Sequence, residues 1–165
     1  YGDMNGDETV AGACGYKDVF AKGYGMNTAA LSEALFNNGT SCGSCYEIQC
    51  INDKRSCKPG TIQITATNLC PPNYTKTEDI WCNPPQKHFD LARPMYQRIA
   101  QYKAGVVAVA FRRIKCTKVG GIKFEITGHP YWTVALVYNV GGAGDVSSVR
   151  IKGSSTNWIP MMRNW

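Results

Sequence analysis

The sequence predicts a mainly β fold in two parts: an irregular, loop-rich barrel stapled by disulfides, followed by a second all-β unit that starts near residue 118. Three observations predict it. Eight cysteines lie at 14, 42, 45, 50, 57, 70, 82 and 116 and then stop. Short β-branched or alternating runs bounded by Gly, Pro and Asn recur along the chain. Only two stretches carry a helical period.

The first helical stretch is "TAALSEALFNNG" (28–39), which begins on Thr as a cap, places Leu31, Ala34 and Leu35 on one stripe and ends at Gly39. "YEIQC" (46–50) and "TIQITAT" (61–67) follow as strands. The second helix starts at "HFD" (88–90), with Asp90 as a preferred N-cap, Pro94 near the start, Gly105 just past the end, and Met95, Ile99 and Tyr102 on one apolar face. "GVVAVAFRRIKC" (105–116) is the last strand of the barrel. After "TKVGG", the runs "IKFEI", "WTVALVYNV" and "VSSVRI" alternate with turn residues and show no helical period. This second unit has only residues 118–165, whereas a β-sandwich usually needs about 100, so it is expected to be incomplete.

With 165 residues, 44% of them hydrophobic, the chain can bury the core of one ordinary domain, or of a small one plus part of another. No apolar run approaches the roughly 18–20 residues of a membrane span. The N-terminal "YGDMNGDETV" lacks the basic and apolar regions of a signal peptide, so any such peptide is expected to have been removed. An even and dense set of cysteines suits disulfides in an oxidising, extracellular compartment. "CGSC" (42–45) is formally a C-x-x-C motif, but no second one exists and the only histidines are His88 and His129, so neither a metal site nor a cofactor is expected. The sequons "NGT" and "NYT" mark Asn38 and Asn73 as N-glycosylation acceptors.

The net charge of +6 comes from scattered lysines and arginines, with no basic helix and no nucleic-acid motif, so a nucleic-acid partner is not expected. Retention on an acidic polymer such as pectin, or a solvated face with no partner, accounts for it equally well.

Several motifs now fall into one order: "GACGYKD" (12–18), "GYGMNTAALSEALFNNG" (23–39), "CGSCYEIQC" (42–50), "ATNLCPPN" (66–73), "HFDL" (88–91), "YQRIAQYKAG" (96–105), "FRRIKC" (111–116) and "VGGAGDV" (140–146). Together they closely resemble plant α-expansins, nearly end to end. The resemblance implies a six-stranded double-psi β-barrel (1–117), similar to family-45 glycoside hydrolases, and an immunoglobulin-like cellulose-binding sandwich (118–165). It further implies a secreted, monomeric cell-wall protein that loosens cellulose–xyloglucan contacts without cutting chains. With the spacings, it implies the pairs Cys14–Cys42, Cys45–Cys116, Cys50–Cys57 and Cys70–Cys82.

The resemblance also bears on "HFD". Inverting glycoside hydrolysis needs an acid on one side of the bond and a base on the other, roughly 6.5–9.5 Å apart. Asp90 matches the general acid of the related hydrolases. Tyr1 opens the chain where the base-bearing strand would be, and the second acidic position of many relatives falls on Asn68, which cannot serve as a base. Glu47 is the remaining carboxylate whose proximity to Asp90 matters. His88 either joins the groove or only orients its loop through a backbone hydrogen bond. A weak endoglucanase or lytic transglycosylase using Asp90 as acid is the enzyme alternative, and a barwin-like binding protein a further one.

In the second unit, Trp132 shares a strand face with Val134, Leu136 and Tyr138 and by pattern alone could be core. By resemblance, Trp132 and Trp158 fall on or near two of three aligned aromatics of a cellulose-binding surface. The third is supplied by Tyr131 or lies beyond Trp165.

Overall fold

The structure is a computed structural model that describes residues 12–164. Tyr1 lies outside the described residues. Strands β1 (Thr28–Ser32), β2 (Cys45–Cys50), β3 (Ile62–Cys70), β4 (Phe89–Leu91) and β5 (Val109–Ile114) form one sheet in the order β4-β1-β3-β2-β5. The sixth strand expected of the barrel is not among the described residues. β1 runs parallel to β3, and the other three pairings are antiparallel. The sheet curls until its two edges meet: the rings of Phe89 on β4 and Phe111 on β5 are 4.8 Å apart, and Tyr46 on β2 lies 5.2 Å from Phe89. Leu31, Ile48, Ile62, Ile64 and Ile99 are the largest of the fully buried side chains, and Tyr16, Phe36, Tyr46 and Phe89 complete the core around them.

Several sequence expectations are corrected here. Residues 28–32 are a strand, and the helix α1 is a single turn, Glu33–Phe36. All five residues of β1 are buried between β3 and β4, and those two ladders outweigh the helical preference of "TAALS". Likewise Asp90 is not a helix cap. It sits in the middle of β4, and helix α2 (Arg93–Ile99) starts after Ala92 with Pro94 in its first turn. Met95 and Ile99 do bury the inner face of α2, but the helix ends there, Tyr102 falls in an exposed 3-10 turn, and β5 starts only at Val109.

Four disulfides join Cys14 to Cys42, Cys45 to Cys116, Cys50 to Cys57 and Cys70 to Cys82, leaving no free cysteine among the described residues.

Beyond Cys116 the chain forms two hairpins, β6 (Lys123–His129) with β7 (Trp132–Tyr138), and β8 (Val149–Ile151) with β9 (Ile159–Met161). The last strand, with a proline at its centre, had no signal in the sequence. The barrel holds this region at several points. Lys17 and Lys22 both pair with Glu125 of β6, and Asn139 donates its backbone N–H to the Tyr24 hydroxyl at 3.1 Å. Cys116 and Gly142 exchange two backbone hydrogen bonds of 2.8 and 3.0 Å, and Arg113 pairs with Asp145 at 2.9 Å. Gly43 and Gly144, both at positive φ, approach so closely that a Cβ on either would overlap the carbonyl oxygen of the other. Gly144, the last glycine of "VGGAGDV", is therefore a packing requirement.

Candidate functional site

Asp90 projects from an edge strand whose neighbours on either side in sequence, Phe89 and Leu91, are buried in the core. Its cross-strand partner on β1 is Ala30, and the partner of Ala30 on β3 is Asn68. Two strand spacings separate β4 from β3, so the backbones at Asp90 and Asn68 are roughly 10 Å apart, with the small Ala30 between them. Opposed residues point to the same face of a sheet, so the two side chains share one face with the buried methyl group of Ala30 between them.

Asn68 is committed to structure. Its Oδ1 accepts the backbone N–H of Ala13 at 2.6 Å and that of Leu69 at 2.8 Å, which pins the 12–14 segment across β3. Glu47 is not near Asp90. It lies on the outer side of β2, where Arg112 of β5 binds it at 2.6 Å. Two strands of the sheet separate it from β4.

A cavity of about 570 Å³ opens beside β4, lined by His88, Asp90, Trp81 and Tyr96, with Ile48 and the 105–109 loop forming its apolar wall. That volume is within the usual range of ligand sites, roughly 300–1,000 Å³. Among the described residues that line it, Asp90 is the sole carboxylate. Ser32, the last residue of β1, fixes the approach to the site. Its hydroxyl donates to the Gln86 carbonyl at 2.8 Å and accepts the His88 N–H at 3.0 Å, while its own N–H donates to the His88 carbonyl at 2.9 Å. His88 is half-buried and its imidazole is held below its ordinary pKa by desolvation, an effect partly opposed by the negative charge of Asp90. Its ring lies nearly parallel to Trp81, 6.4 Å away. Ser32, Trp81 and Tyr96 were not foreseen as site residues. The available signals were an indole beside a cysteine in a proline-rich loop and a tyrosine one position after a core methionine.

The aromatics of the C-terminal region sit on separate hairpins. Trp132 opens β7 at 54% exposure, Tyr131 in the turn before it is 96% exposed, and Trp158, just before β9, is 63% exposed. The face that Trp132 shares with Leu136 and Tyr138 meets the barrel only at its far end, where those two residues pack on the core. Trp132 is therefore a surface residue, with His129 as its ring neighbour at 5.9 Å. Asn38 and Asn73 are exposed or in exposed turns; Asn73 Oδ1 accepts the Thr75 hydroxyl at 2.7 Å and is part of a loop braced by Asn83. No group of three or more His, Cys, Asp or Glu among the described residues is placed to hold a metal, and no helix there is long and apolar enough to cross a membrane.

Comparison with known proteins agrees with this geometry. Residues 28–111 match a family described as lytic transglycolase, and residues 122–165 match the expansin C-terminal domain. Expansin-A23 of Arabidopsis thaliana is 61% identical over the whole chain and Expansin-A25 of the same plant 62%, with this chain spanning 60% of each. Expansin-A32 of Oryza sativa subsp. japonica is 50% identical, with 63% of it spanned. The chain thus covers about three-fifths of the length of the curated relatives it matches. Among solved structures, a mutant of the Clavibacter michiganensis expansin in complex with cellohexaose superposes with a TM-score of 0.68 over 97% of this chain and 68% of that one, at 16% identity. The apo form of the same bacterial protein gives 0.67 at 17% identity, over 99% of this chain and 70% of that one. A barrel and a C-terminal region that each match in the same order, with relatives this similar along every residue, place the chain in the plant α-expansin family.

Proposed function

We propose that this chain acts as a cell-wall loosening protein that grips cellulose and xyloglucan and separates their non-covalent contacts without hydrolysis. In this reading the barrel (1–117) holds a glucan strand in the cavity beside Asp90. The C-terminal unit (118–165) attaches to cellulose through Trp132, Trp158 and Tyr131. The protein is secreted to the wall and works as a monomer, and pectin contributes only non-specific charge attraction.

The observation that carries the reading is the carboxylate set of the cavity. Asp90 is the only acid among its described lining residues, and the position across Ala30 is an amide already occupied by two backbone N–H groups. A carboxylate so placed can accept hydrogen bonds from sugar hydroxyls. Cleavage by inversion needs a partner base, and no second carboxylate lines this cavity among the described residues. The bacterial neighbour solved with cellohexaose supports a glucan as the ligand class.

Asp90→Asn tests it, because the substitution keeps the shape and removes the charge. Wall extension is expected to collapse while the melting temperature stays within about 2 °C, as a half-buried isosteric change away from the core predicts. Full extension by the variant would remove Asp90 from the function. Release of reducing sugar from glucan by the parent, without wall extension, would replace this reading with the endoglucanase or transglycosylase one.

A further inference from the structure

The net charge of the chain is not spread evenly over the fold. Lys54, Arg55, Lys58, Arg93, Arg98 and Lys103 lie within residues 51–60 and 93–108, where Asp53 is the sole carboxylate, so five of the six net positive charges reside in these two segments. The segments are far apart in sequence, but the fold joins them. Cys57 and Ala100 form a β-bridge, Lys58 donates its N–H to the Ile99 carbonyl at 2.8 Å, and Gln101 donates its own to the Ser56 carbonyl at 2.7 Å. The loop that carries Lys54 and Arg55 is closed by Cys50–Cys57 and lies against the end of α2, which carries Arg98, and against the 3-10 turn, which carries Lys103.

The other charges of the molecule are nearly balanced, and the ion pairs among the described residues use Lys17, Lys22, Arg112 and Arg113, all outside this cluster. Asp53 is turned back into its own loop, where its Oδ1 accepts the N–H of Arg55 at 2.9 Å and that of Ser56 at 3.2 Å. Two of the six cations serve the fold: Lys58 donates to the Gln97 carbonyl at 2.6 Å, and the Arg93 guanidinium lies over the Tyr102 ring at 4.0 Å. Lys54, Arg55, Arg98 and Lys103 are exposed, with no ion-pair partner among the described residues. Like charges gathered in this way repel one another, and a counter-charge from outside the chain relieves them.

We propose that this face of the barrel is a docking surface for an acidic polysaccharide, a chain of uronate sugars whose carboxylates pair with Lys54, Arg55, Arg98 and Lys103. The proposal rests on the wall reading above, in which an acidic polymer is held by charge alone, and it locates that attraction on one face. A chain with a carboxylate on each sugar can meet four exposed cations without a pocket, and each guanidinium can hold a carboxylate through two parallel hydrogen bonds. A secreted protein meets its polyanions outside the cell, away from nucleic acid and from the anionic lipids of the cytoplasmic leaflet. α2 also lines the cavity through Tyr96 and Ile99, so a chain docked here lies along the flank of the Asp90 site.

The test uses the full chain and immobilised polygalacturonate at about 100 mM NaCl, where the Debye length is about 10 Å. Lys54→Gln/Arg55→Gln/Arg98→Gln/Lys103→Gln is expected to bind about 4- to 100-fold more weakly than the parent, as loss of four exposed ion pairs does, with an unchanged or raised melting temperature because repulsion is relieved. Lys76→Gln/Lys115→Gln/Lys123→Gln/Lys152→Gln removes the same charge from exposed positions outside the cluster. It is expected to bind within about 3-fold of the parent, since cations away from the docked chain are screened. Equal weakening by the two variants would make the attraction a property of net charge and overturn the surface. So would equal binding of the parent to the fully methyl-esterified polymer, or binding to anionic lipid vesicles or duplex DNA without binding to polygalacturonate. Cellulose binding and wall extension by the parent are read in parallel. A parent that does both and ignores polygalacturonate overturns the surface alone, whereas one that does neither overturns the wall reading on which it rests.

Discussion

Removing the Cys45–Cys116 disulfide is expected to cost about twice as much stability as removing Cys50–Cys57. The two bonds close loops of very different length, with sequence separations of 71 and 7. In the chain-entropy treatment of the unfolded state these loops correspond to about 4 kcal/mol and about 2 kcal/mol. Burial acts in the same direction. Cys45 and Cys116 are both buried, whereas Cys57 is only half-buried, so truncating the first pair leaves more space behind. For a chain of this size, each kcal/mol moves the melting temperature by about 2–4 °C. The double variant Cys45→Ala/Cys116→Ala should therefore melt about 8–16 °C below the parent, and Cys50→Ala/Cys57→Ala about 4–8 °C below it. Urea titration of the same proteins checks the free energies directly. An equal or larger loss from the Cys50/Cys57 variant would refute the loop-length reasoning and point to native strain or denatured-state structure instead.

The Trp132→Ala/Trp158→Ala variant should lose most of its cellulose binding, at about 1–3 kcal/mol per ring, and because both rings are more than half exposed the melting temperature should hold. A pull-down on microcrystalline cellulose reads the first and calorimetry the second; normal binding, or unfolding by either single change, would make these residues core. Glu125 gives a pH prediction. Hydrogen bonds and charge from Lys17 and Lys22 lower its carboxyl from 4.5 to about 2, so its contribution is fully present above pH 4.5 and is lost as the pH falls from there toward 2. Glu125→Gln should flatten the melting-temperature profile across that window and leave its shape unchanged above it. A variant whose profile parallels the parent down to pH 2 would show that the two lysines do not hold this carboxylate in solution.

How far the fold was legible follows from where each element finds its partners. Strands β2, β3 and β6–β8 announce themselves because their alternation and flanking turns are local. β1 does not, since "TAALS" has the residues of a helix and becomes a strand only through ladders to residues 65–70 and 89–91, far away in sequence. β4 is three residues long, too short to carry a period, so Asp90, four residues before Pro94, reads as a cap. The site divides in the same manner. Asp90 and His88 stand in a motif, whereas Trp81 reaches the cavity only because a disulfide and the Ser32 hydroxyl fold its loop back onto β1. Asn68 was recognised as a position but not as a clamp, because its partner Ala13 is 55 residues away.

The strap between Cys116 and Gly142 has a mechanical consequence. Under the proposed function, tension must pass from the surface the protein adheres to into the barrel that grips the glucan. Tension on the 141–145 segment reaches Cys116 through two backbone hydrogen bonds arranged as a matched pair, and passes from there through a covalent bond into Cys45 of β2. β2 is hydrogen-bonded on both sides, to β3 and to β5, so the pull spreads over the middle of the sheet and spares the edge strand that bears Asp90. On that proposal the C-terminal unit and the site beside Asp90 are loaded along different strands, and the site would keep its shape while the protein is pulled.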